Sequence, residues 1–137
     1  MNKATIGSIS SGTLRTEDLL SAFASELRYL ANGHPGNLTL ADEADAVEDF
    51  DSDEAVELVN DLIDILNEYA PPYCYFGAHE GDGADFGFWP LWDAIDELPT
   101  VEDGDEAKAK GEDCKAVNDH GNVTLYGGDG AVIWDCV

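Results

Sequence analysis

Apolar residues recur at helical spacing near the N-terminus, which predicts a first helix from Thr16 to Ala31. Thr16 is the expected N-cap, with two acidic residues in the first turn. Asn32-Gly33 and the following Pro35-Gly36 are expected to end the helix. The apolar face consists of Leu19, Leu20, Phe23, Leu27 and Leu30.

A second helical pattern covers residues 53–69, with Ser52 or Asp51 as the cap and Pro71-Pro72 as the stop. At about 100° per residue, its acidic and apolar positions separate onto opposite sides. The expected apolar side holds Val56, Val59, Leu62, Ile63, Leu66 and Tyr69. A shorter helix is predicted over 39–50, capped by Thr39, with a thin apolar edge.

After Pro72 the pattern changes to short aromatic and β-branched runs, which favour strands. Strands are predicted at 73–78 and 86–90 around a turn, and at 116–121, 122–127 and 131–137. Residues 1–15 are expected to form an extended lead-in, 91–98 are ambiguous, and 99–113 are predicted to be a loop. The pattern predicts an α+β fold, with two or three N-terminal helices packed on a C-terminal antiparallel sheet. We expect a single domain over 1–137, helical at about 16–70 and sheet at about 73–137.

The chain has a large excess of acidic over basic residues, and this excess needs an explanation. The 137 residues include 30 acidic and 6 basic residues, for a formal net charge of -24. The 79 residues between Arg28 and Lys108 contain 22 acids and no lysine or arginine. Such self-repulsion costs stability, so a basic partner, bound cations or solubility in concentrated salt must offset it. The same charge argues against unaided binding to nucleic acid or to an anionic membrane.

Two groups of carboxylates are the candidate partner-binding residues. On the third predicted helix, α3 at 53–69, five of them fall within an arc of roughly 80° and form a row about 22 Å long. This row, called here the α3 stripe, consists of Asp53, Glu57, Asp61, Asp64 and Glu68. The segment 42–54 has eight acids in 13 residues, and its candidate residues are Asp42, Glu43, Asp45, Glu48, Asp49 and Asp51. Like charges at helical spacing destabilise a helix, which favours a role in binding over a merely solvated face.

Other chemistry receives less support from the sequence. The D-x-D-x-D run from Asp49 fails as a calcium loop, because Glu54 and Asn60 stand where glycine and glutamate are needed. The turn 79–85 offers His79, Glu80, Asp82 and Asp85, so an acidic metal-binding module remains an alternative. No nucleophile motif, phosphate loop or dinucleotide fingerprint is present. We therefore expect no catalytic residues, no cofactor and no bound metal.

The three cysteines, Cys74, Cys114 and Cys136, match no zinc or redox spacing. They are expected to be reduced and mostly buried, with a Cys114–Cys136 bridge as the alternative. No apolar run is long enough to cross a membrane, and the first residues lack the apolar stretch of a secretory signal. The aromatic residues of the strands are expected to form the sheet core, with one or two left as exposed interface anchors.

Two stretches, PPYCYFGAHEGDGADFGFWP and NDHGNVTLYGGDGAVIWDCV, resemble segments of small proteins carried by phages and plasmids. They make up about 40 of the 137 residues, and no catalytic role is attached to them. The acidic bulk separately resembles DNA-mimic inhibitors from mobile elements, the anti-CRISPR and anti-restriction proteins. Those mimics share a display of charge and no sequence motif, so the resemblance implies a class of function.

That class is a non-enzymatic inhibitor that occupies the basic nucleic-acid channel of a host defence complex, with CRISPR effectors ahead of restriction enzymes. The expected partner is a basic nucleic-acid-binding protein complex, and the expected location is the cytoplasm of the host cell. Neither direct contact with nucleic acid nor a membrane is expected, and the oligomeric state is left open. The alternative is a protein of a high-salt organism, in which acid should be spread over every surface.

Overall fold

The structure is a computed structural model that describes residues 4–32 and 34–136. The chain divides into two compact units, Met1–Trp89 and Pro90–Val137, and the expectation of a single domain stays a prediction. After one short N-terminal strand come three helices, and the other strands follow them; the described strands form two antiparallel sheets of three. The predicted α+β class is therefore confirmed.

The first unit packs three helices against one sheet. Its elements are β1 (Gly7–Ser10), α1 (Thr16–Leu30), α2 (Pro35–Asp45), α3 (Asp53–Glu68), β2 (Cys74–His79) and β3 (Asp82–Pro90). The sheet order is β1-β3-β2, so the N-terminal lead-in becomes an edge strand. β1 pairs antiparallel with β3, with Gly7 opposite Phe88 and Ser8 opposite Gly87.

Aromatic rings join the helices of the first unit to its sheet. Phe23 of α1 makes edge-on contacts with Phe76 and Phe86, at centroid distances of 5.2 Å and 5.4 Å. Phe76 also contacts Phe88 at 4.9 Å. The helices contribute buried leucines to the same core: Leu19, Leu20, Leu27, Leu30, Leu58, Leu62 and Leu66. The predicted apolar face of α1 is confirmed by this core.

α1 begins at Thr16 as predicted and ends at Leu30, one residue early, but the predicted cap is wrong: Arg15, with an extended backbone, occupies the N-cap position. The predicted helix 39–50 begins earlier, at Pro35, and ends at Asp45; Thr39 lies inside it. The imidazole Nδ1 of His34 caps α2 by accepting the Asn37 N–H at 3.2 Å. Proline is favoured at the first helical position, so Pro35 starts α2 as well as following the end of α1.

The second unit is a three-stranded sheet with two short helices, α4 (Trp92–Asp96) and α5 (Gly104–Lys110). The strands β4 (Cys114–Val117), β5 (Val123–Tyr126) and β6 (Val132–Cys136) are antiparallel in the order β4-β5-β6. The predicted strands 122–127 and 131–137 are confirmed, but the predicted strand 116–121 is displaced, because β4 begins at Cys114 and residues 118–122 form the turn to β5. The prediction of a loop over 99–113 is wrong at α5. There Asp103 caps the helix by accepting the Glu106 N–H at 3.0 Å, and Gly111 ends it with φ 69°.

The strand register decides between the two cysteine alternatives. Cys114 lies opposite Tyr126 at one end of β5, and Cys136 lies opposite Val123 at the other end. β4 and β6 are separated by β5, so they are about 10 Å apart, well beyond disulfide reach. The Cys114–Cys136 bridge is therefore excluded. Cys114 is a buried thiol that donates to the Glu112 carbonyl at 3.2 Å, and burial raises its pKa.

Candidate partner-binding surface

The α3 stripe is displayed by a helix with clear boundaries. Ser52 caps α3 through its Oγ, which accepts the Ala55 N–H at 3.1 Å, and Tyr69 follows the last turn before Pro71-Pro72. The buried face consists of Ala55, Leu58, Leu62 and Leu66. All five stripe carboxylates are exposed on the other side. The predicted exposure of Glu57, Asp61 and Asp64 is thereby confirmed.

The apolar side of α3 is rotated from the predicted one. Val56, placed on that side by the sequence pattern, is 49% exposed, whereas Leu58 is 7% exposed and belongs to the core. The buried residues centre about 35° from the point opposite the stripe. α3 also meets β2, where the Asn67 side chain accepts the Phe76 N–H at 2.9 Å. The rotation leaves the stripe in solvent.

The stripe carries negative charge without a local counter-charge. Three ion pairs occur among residues 4–32 and 34–136, and none involves α3. Its carboxylates follow each other three or four positions apart, so each lies about one turn from the next. Repulsion along the helix is therefore unrelieved, and a cationic partner would gain from every member of the row.

The six other candidate residues are also exposed, but two of them are partly neutralised. Arg28 of α1 contacts Asp42 at 2.9 Å and also pairs with Asp45, both on α2. The hydrogen bonds that Arg28 donates to these two carboxylates raise its pKa. Arg28 directly precedes the segment that lacks lysine and arginine, and it neutralises part of the charge that the sequence leads one to expect there. The negative charge is concentrated on α3, and less on α2.

The remaining candidate residues lie in and around the loop that leads into α3. Asp49 shapes this loop: its Oδ1 accepts the Asp51 N–H at 3.1 Å, and its carbonyl accepts the Ser52 hydroxyl at 2.7 Å. Glu48, Asp49 and Asp51 line a shallow hollow together with Arg15. Glu43 lies on α2 and is exposed. All eleven predicted residues therefore belong to the first unit, and their role in binding stays a prediction.

The predicted turn at 79–85 is mostly strand within the β2–β3 hairpin, because β2 ends at His79 and β3 begins at Asp82. His79 Nδ1 accepts the Gly81 N–H at 2.9 Å, and its ring contacts Trp89 at 4.7 Å. Asp82 accepts the Ala84 N–H, and Asp85 accepts the Ser8 hydroxyl at 2.5 Å. Within 4–32 and 34–136, no three His, Cys, Asp or Glu side chains come together as a metal-ion site. The metal-binding alternative gains no support from this hairpin.

The aromatic residues divide between core and surface. Phe76 and Phe88 are buried, Phe86 and Trp89 are partly buried, and Trp92 is 39% exposed beside the exposed Leu91. The expected sheet core of strand aromatics is confirmed only for Phe76 and Phe88, because Tyr73, Tyr75 and Trp134 are also no more than partly buried. Trp92 and Tyr29, which is 52% exposed, both lie at the surface.

Comparison with known proteins gives no identity. No protein family, no curated protein and no solved structure matches this chain. The resemblance to phage-borne and plasmid-borne inhibitors therefore stays a prediction. Of the helices in the described part of the chain, none is both long and apolar enough to cross a membrane.

Proposed function

We propose that this protein is a non-enzymatic inhibitor that imitates nucleic acid and occupies the basic nucleic-acid channel of a host defence complex. A CRISPR effector is the leading target and a restriction enzyme the second. The observation that carries the proposal is the α3 stripe: five exposed carboxylates in one row, with no ion pair to any described residue.

The spacing of the row suits a surface that tracks phosphates. Charges about 5–6 Å apart along a rigid axis repeat more like one nucleic-acid strand than like an isolated acidic patch. A channel lined with lysine and arginine recognises the backbone of nucleic acid mainly by charge, so it can accept carboxylates at similar spacing. Arginine in such a channel forms strong charge-assisted hydrogen bonds with carboxylates.

The overall charge supports fast association. The first unit carries 18 acidic and 3 basic residues, and the second carries 12 and 3. Long-range attraction to a basic channel raises the association rate and makes it sensitive to ionic strength. The exposed stripe then supplies the close contacts.

Charge reversal on the stripe tests the proposal. Glu57→Lys with Asp61→Lys replaces two exposed carboxylates in the middle of α3. The matched control, Glu97→Lys with Asp119→Lys, makes the same change in net charge at exposed positions of the second unit. Each variant is added to purified CRISPR effectors and restriction enzymes, and cleavage of their nucleic-acid substrates is measured. We expect the stripe variant to lose inhibition and the control to keep most of it.

Circular dichroism must show that both variants keep their helices. Full inhibition by the folded stripe variant would contradict the proposal. Equal loss in both variants would mean that net charge, and no particular surface, is responsible.

One observation favours the high-salt alternative. Acidic residues are about as frequent in the second unit as in the first, although the second unit contains none of the candidate residues. A salt-adapted protein needs concentrated salt to fold, because salt screens its self-repulsion. Helix content measured at about 0.05 M and about 1 M salt separates the two functions. The inhibitor is expected to be folded at both concentrations, and the salt-adapted protein only at the higher one.

A further inference from the structure

The second unit contains a polar hollow that the candidate surface does not include. Its floor is formed by Ala116 of β4 and Thr124 of β5, which lie directly opposite each other. Tyr126 closes one end and the turn 118–122 the other, while residues 100–102 and Glu106 form the side. The hollow has a volume of about 590 Å³.

The hollow exists because only half of this sheet face is covered. Val101 donates its N–H to the Lys115 carbonyl at 2.8 Å, which holds the preceding segment alongside β4. Val101 and Ala107 are buried with Cys114, and Tyr126 packs against them. This small core covers the Cys114–Tyr126 end of the face. The Ala116–Thr124 end stays open.

The walls of the hollow are held by hydrogen bonds. At one end, the Asn118 Oδ1 accepts the N–H groups of His120 and Asn122 at 2.9 Å and 3.0 Å, which fixes the turn. At the side, the Glu106 Oε2 accepts the Glu102 N–H at 3.0 Å. This bond orients the Glu106 carboxylate while using only one of its two oxygens. Two of the lining side chains, Asn118 and Glu106, are therefore held in place.

Acceptors outnumber donors among the groups that line the hollow. Glu102 and Glu106 contribute carboxylates, and Thr100, Thr124 and Tyr126 contribute hydroxyl oxygens, next to the apolar Val101 and Val117. Among the described residues, no lysine or arginine lines it. The nearest cation in sequence, Lys115, donates its Nζ to the Asp96 carbonyl at 2.9 Å. A ligand of this hollow must therefore be cationic and rich in hydrogen-bond donors.

We propose that the hollow receives the guanidinium group of an arginine side chain from a basic protein partner. Guanidinium is planar, permanently charged and carries five N–H donors, so it can bond to a carboxylate and to hydroxyl oxygens at once. Its flat face packs against apolar and aromatic walls such as Val101 and Tyr126. A lysine ammonium has fewer donors and no flat face. The identity of the partner rests on the proposed function, whereas the chemistry of the hollow does not.

The test is an NMR titration of the full chain with N-acetylarginine amide, in which binding is detected by changes in the backbone amide chemical shifts. N-acetylcitrulline amide is the matched control, because it keeps the planar shape and loses the charge; N-acetyllysine amide tests the preference for guanidinium. We expect saturable shifts at residues 100–126 with the arginine compound, and weak shifts with the other two. Non-specific attraction would instead shift the α3 stripe as much as the hollow, and that result would overturn the proposal.

Variants make the result specific. Ala116→Leu fills the floor and is expected to weaken binding at least about tenfold. Glu106→Gln keeps the oxygen that accepts the Glu102 N–H, removes the charge, and should also weaken binding. The Glu57→Lys, Asp61→Lys variant should bind the arginine compound at the hollow normally. If the folded Ala116→Leu variant bound the arginine compound as tightly as the wild type, binding at the hollow would be refuted.

The outcome separates this inference from the proposed function. Saturable binding of the arginine compound at the hollow, without any competition between the protein and nucleic acid, would sink only the proposed function. Inhibition that survives while the hollow fails to bind arginine would sink only the inference. The free amino acid is a second source of guanidinium, so L-arginine is titrated as well. Binding tighter than that of the blocked amide would contradict the assignment to a protein side chain.

Discussion

Leu62→Ala is expected to destabilise the first unit far more than Val56→Ala. This difference tests the rotation of α3 on which the exposure of the stripe depends. Leu62 is fully buried on the face that packs in the core, whereas Val56 is 49% exposed. Both substitutions shorten an apolar side chain to alanine on the same helix, and both residues are expected on the apolar side from the sequence pattern alone.

The sizes of the two effects follow from burial. Leucine-to-alanine replacement at an enclosed core position costs about 2–5 kcal/mol, because transfer free energy is lost and a cavity remains. At Val56 about half of the apolar surface is already in water, and alanine has a higher helix propensity than valine. The two terms nearly cancel, so the change should stay within about 0.5 kcal/mol.

Urea denaturation followed by far-UV circular dichroism measures the difference. Urea is preferable to guanidinium chloride, because guanidinium is a salt and would screen a net charge of -24. A loss of about 3 kcal/mol moves the urea midpoint by about 1–3 M at ordinary m-values. Equal losses in the two variants, or a larger loss for Val56→Ala, would mean that the orientation of α3 is wrong.

Three further predictions concern other parts of the first unit. His34→Ala should destabilise by about 0.5–1 kcal/mol because the cap of α2 is lost, and His34→Asn should restore it; urea midpoints measure both. Burial raises the pKa of Glu26, so its charge costs stability once the pH exceeds the ordinary glutamate pKa. Glu26→Gln should therefore be more stable than the wild type at neutral pH, and this gain should vanish in acid. A gain that stays constant with pH would contradict the prediction. Gly87→Ala should lower the melting temperature, because the added Cβ would collide with the Gly7 carbonyl oxygen of β1. Gly83→Ala should not lower it, because the space around Gly83 is open. Equal melting temperatures for the two variants would exclude the β1–β3 pairing.

Local signals account for the elements that the sequence predicts well. α3 has a regular apolar period, a serine cap and two prolines after its end, so its predicted range differs from the observed one by a single residue. The last two C-terminal strands are separated by a glycine-rich turn, and both are found close to their predicted ranges. These signals lie within a few residues of the elements they define, so no knowledge of the tertiary structure is needed.

The elements that are missed depend on distant partners or are too short for a period. β1 is held by pairing with β3, about 80 residues away in sequence, and nothing in its own sequence indicates that partner. α5 has only seven residues, although Asp103, Glu106 and Gly111 carry start and stop signals that could have indicated it. The division of the strands into two sheets is likewise set by tertiary pairing.

The candidate site follows the same rule. The exposure of the α3 stripe is predictable, because helical geometry alone separates its carboxylates from the core. The pairing of Arg28 with Asp42 and Asp45 is not predictable from local sequence, because it joins α1 to α2 across a turn. The polar hollow of the second unit is also outside the reach of sequence patterns, since it is formed where α5 stops covering the sheet.

The measurement that tests the central claim most directly is an equilibrium competition between this protein and nucleic acid for one purified defence complex. The complex is titrated with labelled protein at increasing concentrations of its own DNA or RNA. If the α3 stripe imitates phosphates in the channel, the apparent Kd of the protein should rise in proportion to the nucleic-acid concentration, and no ternary complex should form. Simultaneous binding of both ligands to the complex would contradict the account.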